Sequence, residues 1–172
     1  MLALALRDDP SLALSMDLYE LSMAQGYWKN EVTDTQAEFH MFFRTNPFQG
    51  GYVVWAGLAD LIEALRGFHF STSDLAYLGS LPDREGKPLF EPKFLEFLAR
   101  FRFTCDVHAV PEGTVVFPNE PLIRVQGPIL EAQVVETLLL TVVNFQSLIA
   151  TKASRCTLAA QGEPVVDFGL RR

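Results

Sequence analysis

The residues best suited to chemistry in this chain are arginines set beside aromatic rings. Arg44 closes the run AEFHMFFR and faces the Gly-rich segment TNPFQGG. Arg171 follows Asp167-Phe168-Gly169 near the end of a hydrophobic run. A guanidinium presents forked donors that match phosphate or carboxylate, and an aromatic face beside a cation suits a flat, anionic ring. In α/β architectures ligands gather at strand C-termini, which is where both arginines are expected to lie. Each also has a plainer reading as a solvated charge at a strand end. Phe168 can equally be a core residue, and Tyr19, in DLYELSMAQGYW, a helix-face packing residue.

Other chemistries find little support. The sequence contains no GxxxxGK[ST], GxSxG, HExxH or CxxC. His40, His69 and His108 are scattered without metal-pair spacing, and each reads as structural. Cys105 and Cys156 are too few for a disulfide framework and read as small core residues in a reduced setting.

Elements that would position these residues can be read from pattern. Ser15 is expected to cap a helix through about Trp28 to Asn30, with Asp17 and Glu20 in its first turn. Ala37 to Arg44 alternates as a strand, and Tyr52 to Gly57 reads as a second strand that could pair with it. Helices are expected over Leu58 to Phe68, from a Ser71/Asp74 capping box to Leu78, and over Lys93 to Arg102. CDVHAV, TVVFP and PLIRVQG are short β runs divided by tight turns. A long helix without Gly or Pro is expected from Leu130 to Ala160, then a buried-type strand at VVDFG.

Composition bounds the class. Of 172 residues, 49% are apolar, enough for a real core. The formal charge of −7 excludes a broad nucleic-acid grip but not local anion sites. The apolar start MLALAL is too short for a secretory segment, and Val134 to Ala150 is interrupted by Glu136, Asn144 and Gln146, so no membrane association is expected. VPEGTVVFPNEPLIRVQGP has the look of half a lipoyl-carrier sandwich, but its hairpin tip has no lysine to modify.

Taken in order, DLYELSMAQGYW, AEFHMFFRTNPFQGGYVVWAGL, VPEGTVVFPNEPLIRVQGP, ETLLLTVVNFQSLIATKASR and DFGLRR resemble nicotinate phosphoribosyltransferase from Asp17 to Arg172. The resemblance implies an α+β fold. A sandwich-like N-terminal domain (residues 1–162, with a long helix over about 130–160) would precede the first strand of an incomplete α/β barrel (residues 163–172). It implies joining nicotinate to phosphoribosyl pyrophosphate with ATP hydrolysis, through a phosphorylated histidine, in NAD salvage. Mg²⁺ would accompany the polyphosphates, in a cytoplasmic homodimer. By the same resemblance Tyr19 would stack on the pyridine ring, reaching across the dimer, and Phe168 on its other face. Arg171 would hold the phosphates or the nicotinate carboxylate, and Arg44 a phosphate, also from the partner subunit. Lys152 and Arg155 are weaker candidates. The block carrying the phosphorylated histidine is absent, so the 172-residue chain is expected to be an inactive N-terminal part, with its catalytic residues unassigned. Alternatives are a nicotinamide or quinolinate phosphoribosyltransferase relative, or a non-catalytic interaction module.

Overall fold

A computed structural model describes residues 11–168 of the chain. Helix α1 spans Leu18–Lys29. Its N-cap is Asp17, not Ser15, and no side chain caps it; the first turn is held instead by contacts to a distant helix, described below. Strand β1 (Gln36–Met41) leads to a single 3₁₀ turn at Pro47–Gln49 and to β2 (Val53–Val54). Helices α2 (Leu58–Arg66), α3 (Thr72–Ser80) and α4 (Pro92–Leu98) follow. The capping box forms as the spacing predicts: Asp74 N donates to Ser71 Oγ at 3.1 Å and Ser71 N to Asp74 Oδ2 at 2.9 Å.

The β section comprises β3 (Asp106–Ala109), β4 (Val115–Val116) and β5 (Ile123–Pro128). The antiparallel pairing read as possible between β1 and β2 does not form. Instead β5 is central in an antiparallel β1-β5-β3 sheet, with Phe39 opposite Val125 and Val107 opposite the same valine. Strand β2 pairs with β4. Side-chain period assigns a strand's faces but not its neighbours, which depend on where intervening chain returns.

The expected long helix is two. Helix α5 (Ile129–Val134) and α6 (Glu136–Ala159) meet at Val135, whose φ of −97° and ψ of 2° break the ladder. The pair is long and apolar enough to cross a membrane. Its buried hydroxyls nevertheless have partners in the protein. Thr151 Oγ1 accepts from Val54 N at 2.9 Å, and Ser147 Oγ accepts from Ala56 N at 3.1 Å. These two side chains satisfy the edge of β2 that β4 leaves open, so α6 serves as a core helix.

The core lies between this helix, the sheet and α2–α4. Trp55, Leu61, Phe94, Leu98, Val134, Val135 and Val143 are essentially sealed from solvent. Phe68, Phe70 and Phe101 meet edge to face with centroids 5.6–5.9 Å apart, the arrangement favoured by ring quadrupoles. Gly127 is required by space: a Cβ there would lie 2.7 Å from Cys105 Sγ. Cys105 is partly buried and burial pushes its thiol up to about 12, the behaviour of an inert packing residue. Cys156 departs from expectation, being exposed on α6.

The strand expected at VVDFG is also corrected. Residues 164–168 are irregular, with Val165, Val166 and Phe168 exposed. Among the described residues no strand lies beside them, and an apolar segment without a ladder partner has no reason to become a strand.

Candidate functional site

Arg44 stands just past β1, on the wall of a groove of about 430 Å³ between that strand and the α5–α6 junction. Phe39, His40 and Phe42 line the strand side; Gln133, Glu136 and Leu140 line the helix side. The volume is of ligand size and the lining mixes aromatic, cationic and acidic groups. His40 Nε2 lies 3.3 Å from Glu38 Oε1, on a solvent-facing part of β1. Gln133 is buried, and neither its Nε2 nor its Oε1 finds a partner within the described residues.

Tyr19 reaches the same groove indirectly. Its hydroxyl donates to Glu136 Oε2 at 2.9 Å, while about half of the residue remains exposed. That hydrogen bond to a carboxylate holds the phenolic proton and pushes the tyrosine up to about 12. The next residue makes the tie rigid. Glu20 is fully buried, and its Oε1 accepts from both Thr137 N at 3.0 Å and Thr137 Oγ1 at 2.7 Å. A carboxylate thus covers two donors of the first turn of α6, near the positive end of that helix. Burial raises the Glu20 carboxyl above the ordinary glutamate value, with the Thr137 hydrogen bonds pulling the other way.

Tyr19 and Arg44 are therefore brought to one end of α6, through Glu136. Phe168 is not. It follows the other end of this 24-residue helix, which is ~36 Å long at 1.5 Å per residue, and is 86% exposed. Arg171 lies outside the described residues, as does the N-terminal MLALAL run. Lys152 and Arg155 lie near the far end of α6, against Phe48. Glu20, Gln133, Glu136 and Thr137 were missed by sequence reading. Glu20 read as a first-turn acid favoured by the dipole, and Glu136 as an interruption in an apolar run; only the packing of α1 on α6 makes them one network.

Among the described residues no three His, Cys, Asp or Glu side chains converge as a metal site. A Mg²⁺ carried on a polyphosphate needs only one or two protein carboxylates, and no chemistry is derived through one.

Comparison with known proteins gives a consistent picture. Residues 14–144 match the family model described as nicotinate phosphoribosyltransferase (NAPRTase) N-terminal domain. The chain is 50% identical over 160 residues to the nicotinate phosphoribosyltransferase pncB2 of Mycobacterium tuberculosis, covering 93% of this chain and 33% of that protein. It is 44% identical over 172 residues to the nicotinate phosphoribosyltransferase of Bacillus subtilis, covering 100% of this chain and 34% of the relative. The crystal structure of human nicotinic acid phosphoribosyltransferase superposes with a TM-score of 0.79 at 42% identity, over 91% of this chain and 31% of that one. A nicotinate-nucleotide pyrophosphorylase from Pyrococcus furiosus, at TM-score 0.64 and 22% identity, shares the fold. The chain spans about a third of the length of the curated relatives it matches.

Proposed function

The chain belongs to the nicotinate phosphoribosyltransferase family, and from that premise we propose that it is the N-terminal portion of an enzyme joining nicotinate to phosphoribosyl pyrophosphate in NAD salvage. In this reaction the bond between C1 of the ribose and the pyrophosphate oxygen breaks. The pyridine nitrogen supplies the electron pair for the new glycosidic bond, and pyrophosphate leaves with its charge stabilised by cations. The observation that carries the reading is the match over residues 14–144, in a chain whose groove sets Arg44 beside aromatic rings and ties Tyr19 to Glu136 at its edge.

In this reading Arg44 contacts a phosphate and Tyr19 stacks on the pyridine ring from the partner subunit of a homodimer. Phe168 covers the other face and Arg171 holds the phosphates or the carboxylate. The exposure of both rings, about half for Tyr19 and nearly all for Phe168, supports a ring sandwich completed by a second subunit. ATP hydrolysis and Mg²⁺ belong to the same proposal, as does a cytoplasmic setting, which the acidic composition with only two cysteines supports. An exposed Phe168 in irregular chain supports an isolated 172-residue chain without transferase activity.

A chimera provides the test. This chain replaces the matching N-terminal third of the Bacillus subtilis relative, and labelled nicotinate, phosphoribosyl pyrophosphate and Mg-ATP are supplied. Nicotinate mononucleotide is expected from the chimera and none from the 172-residue chain alone. A chimera that is folded by circular dichroism but makes no product overturns the reading. Product from the isolated chain overturns its assignment as an inactive portion.

A further inference from the structure

Two cations sit on one aromatic ring in this protein. Lys152 Nζ lies 5.6 Å from the centroid of Phe48, and Arg155 Cζ lies 5.9 Å from it. The two residues are three apart on α6 and so share a face. Among the described residues neither pairs with a carboxylate, in a chain that carries seven excess negative charges.

The surrounding loop is built to hold this pair. Phe48 and Gln49 are consecutive non-glycine residues at φ of 58° and 53°, a left-handed conformation that side chains disfavour and that clusters at functional sites. The Phe48 carbonyl accepts from Arg155 Nη1 at 3.0 Å, fixing the guanidinium. Gly50 has ordinary φ, but a Cβ there would come within 3.0 Å of Arg155 Nη1 and 3.2 Å of the Pro47 carbonyl. Its lack of a side chain is thus what admits the arginine. One turn of α6 is locked as well, by the 2.9 Å hydrogen bond between Tyr52 and Ser154.

We propose that Lys152 and Arg155, seated over Phe48 beside the 45–51 loop, form an oxyanion site for a phosphate group, outside the Arg44 groove. The preference for phosphate over carboxylate follows from charge. A carboxylate neutralises one of the two cations, whereas a phosphate near neutral pH carries nearly two charges and enough acceptor oxygens for an ammonium and a guanidinium edge. The group could arrive as inorganic phosphate, as pyrophosphate or on phosphoribosyl pyrophosphate.

The experiment titrates the 172-residue chain with each of these three at constant ionic strength, following side-chain and backbone NMR signals of residues 48–50, 152 and 155. Saturable shifts centred on those residues are expected. Lys152→Gln with Arg155→Gln should weaken the affinity at least about tenfold, the scale of losing charge-assisted hydrogen bonds. Arg155→Lys should fall between, and Gly50→Ala should weaken binding with the charge intact. Comparable affinity for all three ligands assigns the site to any phosphate group; a preference for phosphoribosyl pyrophosphate makes the substrate its source. Acetate at the same concentration should give no saturable shift. No saturation by any phosphate ligand, or affinity unchanged in the double variant with its circular dichroism intact, overturns the proposal. This readout is separate from the chimera assay, so either can fail without the other.

Discussion

Replacing Thr137 by valine removes, at nearly constant volume, the short hydroxyl bond from α6 to Glu20, together with the long contacts of that hydroxyl to Asp17 N (3.4 Å) and Asp17 Oδ2 (3.5 Å). The hydroxyl donates to Glu20 Oε1 at 2.7 Å, inside a part-buried contact where Glu20 itself is sealed from solvent. A hydrogen bond to a charged acceptor contributes about 1.5–3 kcal/mol, and the valine methyl returns up to ~1 kcal/mol of apolar burial, so a net loss of about 1–2 kcal/mol is expected above the raised folded value of Glu20, where its carboxylate is ionised. The backbone bond from Thr137 N to the same oxygen survives. At 2–4 °C per kcal/mol for a chain of this size, Tm should fall by about 2–8 °C. Urea unfolding followed by the fluorescence of buried Trp55 gives the free energy directly. The loss should depend on charge. Because the folded-state pKa of Glu20 is raised by burial, the folded protein holds that proton more tightly than the unfolded chain. Its contribution to stability is therefore fully present below the ordinary glutamate value and is lost as pH rises through the raised folded value. Glu20→Gln should flatten this slope. In that background, and in the wild type at acidic pH, Thr137→Val breaks only a neutral hydrogen bond and should cost about 1 kcal/mol less. An equal cost in both backgrounds at every pH would refute the view that a buried carboxylate organises this joint.

Two further outcomes follow from the same structure. Glu136→Gln removes the carboxylate that holds the Tyr19 proton, so ultraviolet titration should show one tyrosine moving down from about 12 toward the ordinary range; an unchanged titration would remove Glu136 from its environment. Glu112 Oε1 accepts from Gly57 N at 2.5 Å and Leu58 N at 3.0 Å, capping α2 from a distant loop. Glu112→Ala should cost about 1 kcal/mol by urea unfolding, and Glu112→Gln less because an acceptor oxygen remains.

Local patterns were legible in the chain itself. The Ser71/Asp74 box opens α3 as read, because its partners are three residues apart and need nothing from the rest of the fold. The three short strands after Cys105 are bounded by turns that their own Gly, Pro and Asn residues impose. Family membership was also readable, since five ordered blocks carry it without any contact being known.

What tertiary structure decided was partnership between residues far apart in sequence. Residue spacing could not say that β5 pairs with β1 and β3, nor that the edge of β2 is satisfied by Ser147 and Thr151. Glu20 and Thr137 are 117 positions apart, and Phe48 and Arg155 are 107. Propensity and period act over a few residues, whereas burial and unsatisfied hydrogen bonds are settled by whichever distant segment fills the space. The strand expected at VVDFG shows the same division from the other side. Its residues have the composition of a strand, but hydrogen bonding requires a neighbour, and the described fold places none beside it.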